Sequence, residues 1–328
     1  MKAVAKACSN IALVKYWGKR DAELNLPAGP SISMTLDRLK TTTAVDFQSG
    51  GKEDVIYFNG KPAEPGFASR VESFLDLVRS RAGITGRARV DTNNDFPTKA
   101  GMASSASGFA ALALAATCAA GMDLNQQEMA GLARMGSGSA SRSIVGGFAE
   151  IIPGDNRAGL DFRVRIVADP MHWDLKILVG VVDRGEKYIS SRRGMAATAG
   201  TSPFYKPFLE SSFNDVEEAR SAILERDINR LGPVVERSCL RMHACAMAAD
   251  PGIVYWLGPT MQAFHAVRRA RSRGLPGYFT LDAGPNPMVV CEAAHARAFE
   301  KILKEVDGVR HVITAGPGPG ASVDVEHE

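Results

Sequence analysis

No stretch of this 328-residue chain approaches the roughly 20 consecutive apolar residues that a membrane-crossing helix needs, so a helical membrane anchor is not expected. The opening MKAVAKACSNIALVKYW lacks the continuous apolar core and small-residue cleavage site of a secretory signal. Cysteine is scarce: five residues, an odd number, with no C-x-x-C pair. That usage points to reduced thiols and a cytoplasmic protein rather than a disulfide framework. Charge of one sign is lacking too. Lys and Arg number 39 against 36 Asp and Glu, a formal net charge of +3, which does not argue for a nucleic-acid partner. The chain contains no G-x-x-x-x-G-K-[ST] loop and no G-x-S-x-G elbow, which removes the Walker-type phosphate loop and the α/β-hydrolase nucleophile. Internal repeats and long low-complexity tracts are missing as well.

What remains is an ordinary globular composition, 45% hydrophobic and 23% charged, enough for one large core or two smaller ones. KTTTAVDF (40–47) and EDVIYF (53–58) are rich in β-branched and aromatic residues and read as strands, with a turn signal at Asn59-Gly60. ASRVESFLDLVRSRAG has helical spacing and stops at Gly83. GRARVDTNNDF reads as a strand, NQQEMAGLARMG as a helix, GGFAEIIPG and DLKILVGVVD (174–183) as strands. Helices are predicted near 203–226, 227–249 and 253–273, followed by strands at GYFTLDAG, PMVVCEA and VRHVITAG. Helices and hairpin-connected strands in both halves predict an α+β fold, with a domain boundary near residue 184.

Four segments carry candidate chemistry. TKAGMASSASGF (98–109) is built of small residues and runs straight into the helix-forming AALALAATCAAG. A helix start offers unpaired N–H groups and a partial positive charge, and small residues let phosphate oxygens approach them. Gly101 with the hydroxyls of Ser104, Ser105 and Ser107 is therefore a candidate phosphate cradle; a small-residue helix packed on a sheet is the alternative. GSGSASRS (136–143) adds Ser137, Gly138 and Ser139 with Arg142, whose planar fork suits a carboxylate or phosphate. KYWGKRD places Lys15, Lys19 and Arg20 around an aromatic pair, and SSRRG (190–194) repeats the hydroxyl-plus-guanidinium pattern; a solvated basic turn is the plainer reading of the former. Together they suggest two polyanions in one cleft. FTLDAGPNP (279–287) places Asp282 at a strand end, where such a residue is ordinarily a turn former.

Other features have structural readings. Cys239, His243 and Cys245 share one helix, VVERSCLRMHACAMA, but Cys239 and Cys245 lie about 600° apart around it, so packing is favoured over a metal. RRARSRG (268–274) complements a helix C-terminus, and GPGPG (316–320) has too many prolines to open a helix.

SNIALVKYWGKRD, LKTTT, FPTKAGMASSASGFAAL, RMGSGSASRSIVGGFAE, RMHA and FTLDAGPN, in this order over about residues 8–290, resemble the diphosphomevalonate decarboxylase family, within the small-molecule kinase superfamily of galactokinase, homoserine kinase and mevalonate kinase. The resemblance implies an N-terminal domain like the second domain of ribosomal protein S5 (1–184), a ferredoxin-like C-terminal domain (185–328), and a homodimer. It implies decarboxylation of mevalonate 5-diphosphate with ATP and Mg²⁺, no metal ligand in the chain being assigned. Asp282 would orient and deprotonate the 3-hydroxyl, Lys19 would stand near Asp282, and Arg142 would hold the substrate carboxylate. Tyr16, Lys19, Ser137, Gly138, Ser139, Ser191 and Arg192 would bind the diphosphate and neighbouring groups; Gly101, Ser104 and Ser105 would contact ATP phosphates. Gly29, Pro30 and Lys99 depart from the family's usual residues. Decarboxylation of mevalonate 5-phosphate, or phosphorylation of the 3-hydroxyl without decarboxylation, are the alternatives.

Overall fold

The computed structural model describes residues 2–48, 51–96, 104–182 and 188–325. The chain opens with β1 (Lys2–Val14), β2 (Lys19–Asp21), β3 (Leu26–Pro27), β4 (Ser31–Gln48), β5 (Val55–Phe58) and β6 (Lys61–Pro62), then α1 (Pro65–Ala82) and β7 (Arg87–Asn94). Next come α2 (Ser104–Ala119), α3 (Gln126–Gly136), α4 (Ala140–Ile144), β8 (Phe148–Ile152), β9 (Arg163–Ala168) and β10 (Leu175–Val181). Four helices follow, α5 (Ser191–Thr201), α6 (Tyr205–Glu225), α7 (Ile228–Met247) and α8 (Gly258–Ser272). The chain closes with β11 (Tyr278–Thr280), β12 (Met288–Glu292), α9 (Ala293–Lys304), β13 (His311–Ala315) and β14 (Ser322–Val325). No helix among the described residues is long and apolar enough to cross a membrane.

Local chemistry accounts for the boundaries. Proline opens α1 and Gly83 closes it at φ 67°, the left-handed conformation that glycine adopts without a Cβ penalty. Asn125 caps α3, reciprocated by Glu128. The Ala-rich α2 is apolar on almost every side, as a helix enclosed by other elements must be.

Two sheets organise the molecule. The first runs β14-β1-β4-β7-β5-β6, with β8 added to β4 and β9 to β8; the second is antiparallel, β11-β12-β10-β13. Helices α1, α2 and α3 cover the first sheet, where Val71, Phe74, Leu112 and Leu132 meet Ala3, Ala5, Val45 and Val90. A register shift between Cys8 and Asn10 interrupts the β1–β4 ladder. Beyond it Ile11 and Leu13 join the other core, between the sheets, because the irregularity exchanges the two faces of β1. β10 alternates in the same sense: Ile177, Val179 and Val181 enter that inter-sheet core with α6 and α7, while Leu178 faces α8 and α9.

The architecture is α+β. The boundary expected at residue 184 does not follow the sheets. β10 precedes it yet pairs with β12 and β13, and β14 follows it yet pairs with β1. β10 is buried on both faces and needs partners in its own sheet, whichever side of the sequence midpoint they occupy. The short helix α5, absent from the sequence reading, starts at the SSRRG motif.

Candidate active site

β1 delivers Lys15 into the space between the two sheets. The residue is 2% exposed. Its Nζ donates to the Ala12 carbonyl at 2.9 Å and to Asp282 Oδ1 at 2.7 Å. Asp282 stands in the turn between β11 and β12, its side chain 21% exposed. A buried ammonium without a counter-ion is costly, so Lys15 and Asp282 secure one another. The cation at Asp282 is thus Lys15, where Lys19 was expected. Gly18, at φ 109°, reverses the chain before Lys19. Lys19 Nζ then bonds Asn25 Oδ1, and the Asn25 amide donates to the Met135 carbonyl at the end of α3. A signal for this was present: Lys15 interrupts an apolar run, NIALVKYW, whereas Lys19 follows a glycine at its polar end.

Lys19 belongs to a second cluster. Burial pushes its pKa down to about 8, and Arg192 and Arg70 add to the effect. Arg70 donates to the Gly136 carbonyl at 3.3 Å and lies 4.6 Å from the Phe109 ring centroid. Its Nε is buried without a partner among the described residues, and burial with the Arg192 charge lowers the pKa of Arg70 to about 10. Among the described residues no carboxylate lies within ion-pair distance of Lys19, Arg70 or Arg192. Like charges without a counter-ion, the part-buried Lys19 and Arg70 with the exposed Arg192 at the start of α5, can attract an anion. Arg70 was missed in the sequence, although it stands at helical spacing from Phe67 and Phe74 on the apolar side of α1.

Ser137, Gly138 and Ser139 link α3 to α4 beside this cluster. Ser137 Oγ lies 3.4 Å from both Ser139 Oγ and Ser105 Oγ. A Cβ on Gly138 would collide with the Tyr16 hydroxyl, which is buried and has no hydrogen-bond partner among the described residues. Burial pushes the Tyr16 phenol up to about 12, so it stays protonated. Arg142, from α4, is 2% exposed. Its Nε and one terminal nitrogen each donate to Asn10 Oδ1 at 3.2 Å, and the other donates to Ser31 Oγ. Asn10 is itself fixed through Nδ2 to the Ser139 carbonyl at 3.0 Å and Ser143 Oγ at 2.8 Å. Burial lowers the pKa of Arg142 to about 10, with Tyr16 and Asp282 acting in the opposite sense, so the guanidinium remains charged at neutral pH. It has no carboxylate within ion-pair distance among the described residues.

Ser104 and Ser105 form the first turn of α2, and the Ser105–Ser137 contact joins that helix start to the Ser137–Ser139 loop. Gly101 and Lys99 lie outside the described residues. Ser107 is not available to a ligand, being fully buried and bonded to Thr41 Oγ1 at 2.7 Å and Ser9 Oγ at 3.3 Å. Ser191 and Arg192 form the first turn of α5, whose Gly194 packs against Trp17 and Tyr255.

Residues 7–161 match the diphosphomevalonate decarboxylase-like N-terminal domain, and residues 177–315 match the mevalonate 5-diphosphate decarboxylase C-terminal domain. The chain belongs to the diphosphomevalonate decarboxylase family. The diphosphomevalonate decarboxylase of Homo sapiens is 36% identical, over 85% of this chain and 74% of its own. The phosphomevalonate decarboxylase of Haloferax volcanii is 32% identical, over 99% and 98%. A solved mevalonate diphosphate decarboxylase from Enterococcus faecalis is 39% identical with a TM-score of 0.91, over 99% of each chain. A solved structure described as MDDEF in complex with MVAPP, AMPPCP and magnesium is 40% identical with a TM-score of 0.92, again over 99% of each. The two-domain α+β fold is therefore that of this decarboxylase family.

Within that frame the structure draws Tyr16, Lys19, Ser137, Gly138, Ser139, Arg142, Asp282 and the start of α2 into one site, and adds Lys15, Asn10 and Arg70. A groove of about 680 Å³ between α8 and α9 is lined by Arg269 and Arg273 of the basic run, and none of the residues above lines it.

Proposed function

We propose that the chain catalyses ATP-dependent decarboxylation of mevalonate 5-diphosphate to isopentenyl diphosphate, releasing ADP, phosphate and carbon dioxide. The observation that carries this reading is a carboxylate, Asp282, held by Lys15 at 2.7 Å between the two sheets, with the buried Arg142 and anion seats of small residues and cations in the same region. The 3-hydroxyl of the substrate is a poor leaving group until it is phosphorylated. Asp282 orients it and accepts its proton as its oxygen bonds the γ-phosphorus and the bond to ADP breaks. In a loose phosphoryl transfer positioning carries most of the rate, so a weak base suffices. The C3–oxygen bond then breaks and phosphate departs. The electron pair of the bond between C2 and the carboxyl carbon closes the double bond, and carbon dioxide leaves. Arg142 holds the carboxylate through these steps.

Ser104 and Ser105 would face the nucleotide's phosphates at the start of α2. Mg²⁺ supplies charge neutralisation on those phosphates, and serine hydroxyls are hard oxygen donors of the kind it accepts. Lys19, Arg70, Arg192, Ser137, Ser139 and the Tyr16 hydroxyl would hold the substrate's diphosphate. Three unpaired cations favour a diphosphate over the monophosphate, the substrate class in the name of the Haloferax volcanii relative. Arg142, which would hold the substrate carboxylate, together with the Lys15–Asp282 pair favours decarboxylation over phosphorylation alone. The proposal includes a cytoplasmic homodimer, which sedimentation of the purified chain tests. Incubation with ATP, Mg²⁺ and each mevalonate phosphate, measuring carbon dioxide and ADP together, tests the activity. Equal amounts of both products from the diphosphate, with a much lower kcat/KM for the monophosphate, are expected. The reverse preference, or ADP without carbon dioxide, would overturn it.

A further inference from the structure

Helix α7 supplies no group to the site just described, yet one strip of it touches both segments that do. Ser238 Oγ accepts the backbone N–H of Lys15 at 3.0 Å. One turn on, His243 Nε2 lies 3.3 Å from the carbonyl of Leu281, the residue before Asp282, and Cys239 Sγ approaches the same carbonyl at 3.7 Å. Ser238 is 1% exposed, and Cys239 and His243 are fully buried. Residues 238, 239 and 243 fall within about 140° of helix circumference at 100° per residue, so a single face carries all three contacts.

We infer that α7 is a template that sets the distance between Lys15 and Asp282, with Ser238 and His243 as positioning residues for the catalytic carboxylate. Lys15 lies at the end of a strand of the first sheet, and Asp282 lies beyond a strand of the second. The shared core docks the two sheets, but among the described residues no backbone ladder joins the two segments. Ser238 anchors the first segment by its backbone, and His243 anchors the second. The histidine does this as a neutral ring. Its surroundings are the rings of Tyr255 at 6.1 Å and Trp256 at 5.5 Å, the Leu281 carbonyl, and the Lys15 charge. With a proton on Nε2 it donates to Leu281, and Nδ1, which has no partner among the described residues, carries none. A second proton would place a cation in an apolar pocket beside Lys15.

The inference rests on the proposed reaction, and its test separates the two. Wild-type turnover reports on the reaction; the variants report on the template. His243→Leu removes the donor, and His243→Gln keeps an N–H at similar reach. Misplacement by a fraction of an ångström lowers the rate more than binding, so kcat for His243→Leu should fall by about 10–100-fold with KM for both substrates changed less than about threefold. His243→Gln should recover kcat to within about fivefold of wild type. Ser238→Ala should lower kcat by about 3–10-fold in the wild-type background and by less than about twofold in Lys15→Met, where the group it positions is gone. Unchanged kcat in His243→Leu, a Gln variant no better than Leu, or equal effects of Ser238→Ala in both backgrounds would overturn the template. Crystal structures of His243→Leu and Ser238→Ala give an answer independent of activity. A Lys15–Asp282 contact retained in both would also overturn it.

Discussion

Lys15 and Asp282, 267 positions apart in the chain, meet at 2.7 Å across the junction of two sheets. Neither sheet contains both residues. The pair exists because Ile11, Leu13, Ile32 and Met34 of the first sheet share one apolar core with Ile177, Val179, Met288 and Val290 of the second. Apolar burial is not directional, but interiors are close-packed, so two sheets docked on one core have little freedom to slide. The chemistry therefore depends on packing well away from the substrate.

Asp282→Asn should keep substrate binding and lower kcat by about a thousandfold, as for loss of a group acting in proton transfer. Lys15→Met should lower kcat as well, and it should reduce thermal stability, because Asp282 loses the cation that holds it. Steady-state kinetics with separate binding measurements check both; an Asn variant with unchanged kcat would remove Asp282 from the mechanism.

Arg142→Lys retains the charge but loses the fork that meets Asn10 twice and Ser31 once. kcat/KM should fall by roughly 100-fold, and stability by about 1–3 kcal/mol, from the buried Asn10 and Ser31 oxygens left without donors. Calorimetry and kinetics on the same preparation measure the two effects.

Lys19 should make diphosphate binding sensitive to alkali. With its pKa down to about 8, the free enzyme loses a cation between pH 7 and 9, and substrate affinity should weaken over that interval. Lys19→Arg keeps its charge and should flatten the profile. The stability effect has the opposite sense. Between about pH 8 and the ordinary lysine value of 10.5 the unfolded chain binds more protons, so this group's contribution to stability rises with pH there. Calorimetric binding at pH 7, 8 and 9 distinguishes the lysine from the arginine variant; identical profiles would contradict the assignment.

Gly138→Ala should displace the Tyr16 ring, since the new methyl would occupy the position of the phenolic oxygen. KM for the mevalonate substrate should rise by about tenfold or more, with the KM for ATP little altered. Pairing it with Tyr16→Phe, which removes only the hydroxyl, tests the cause: the alanine should cost less in the Phe background, where the contact with the hydroxyl oxygen is gone and only the 2.7 Å contact with the ring Cζ remains to be relieved.

Much of this protein is legible without coordinates because it is written in local chemistry. The stop of α1 at Gly83, the cap of α3 at Asn125, the apolar run of β10, the small-residue start of α2 at 104–105 and the small-residue loop at 137–139 depend on neighbours within a few positions. Family membership follows from the order of those motifs. The α+β class follows from the mixture of elements.

The partnership of Lys15 with Asp282 is not local. Lys15 and Lys19 stand in one short motif, and either could have faced the aspartate until the reversal at Gly18 sent Lys19 toward the end of α3. Arg70 reaches the site from α1, and α7 braces both segments that carry the pair. Composition, caps and periodicity are short-range properties that the linear chain specifies by itself. Which cation meets which carboxylate depends on how two sheets dock, and that is set by the summed packing of side chains distant in sequence.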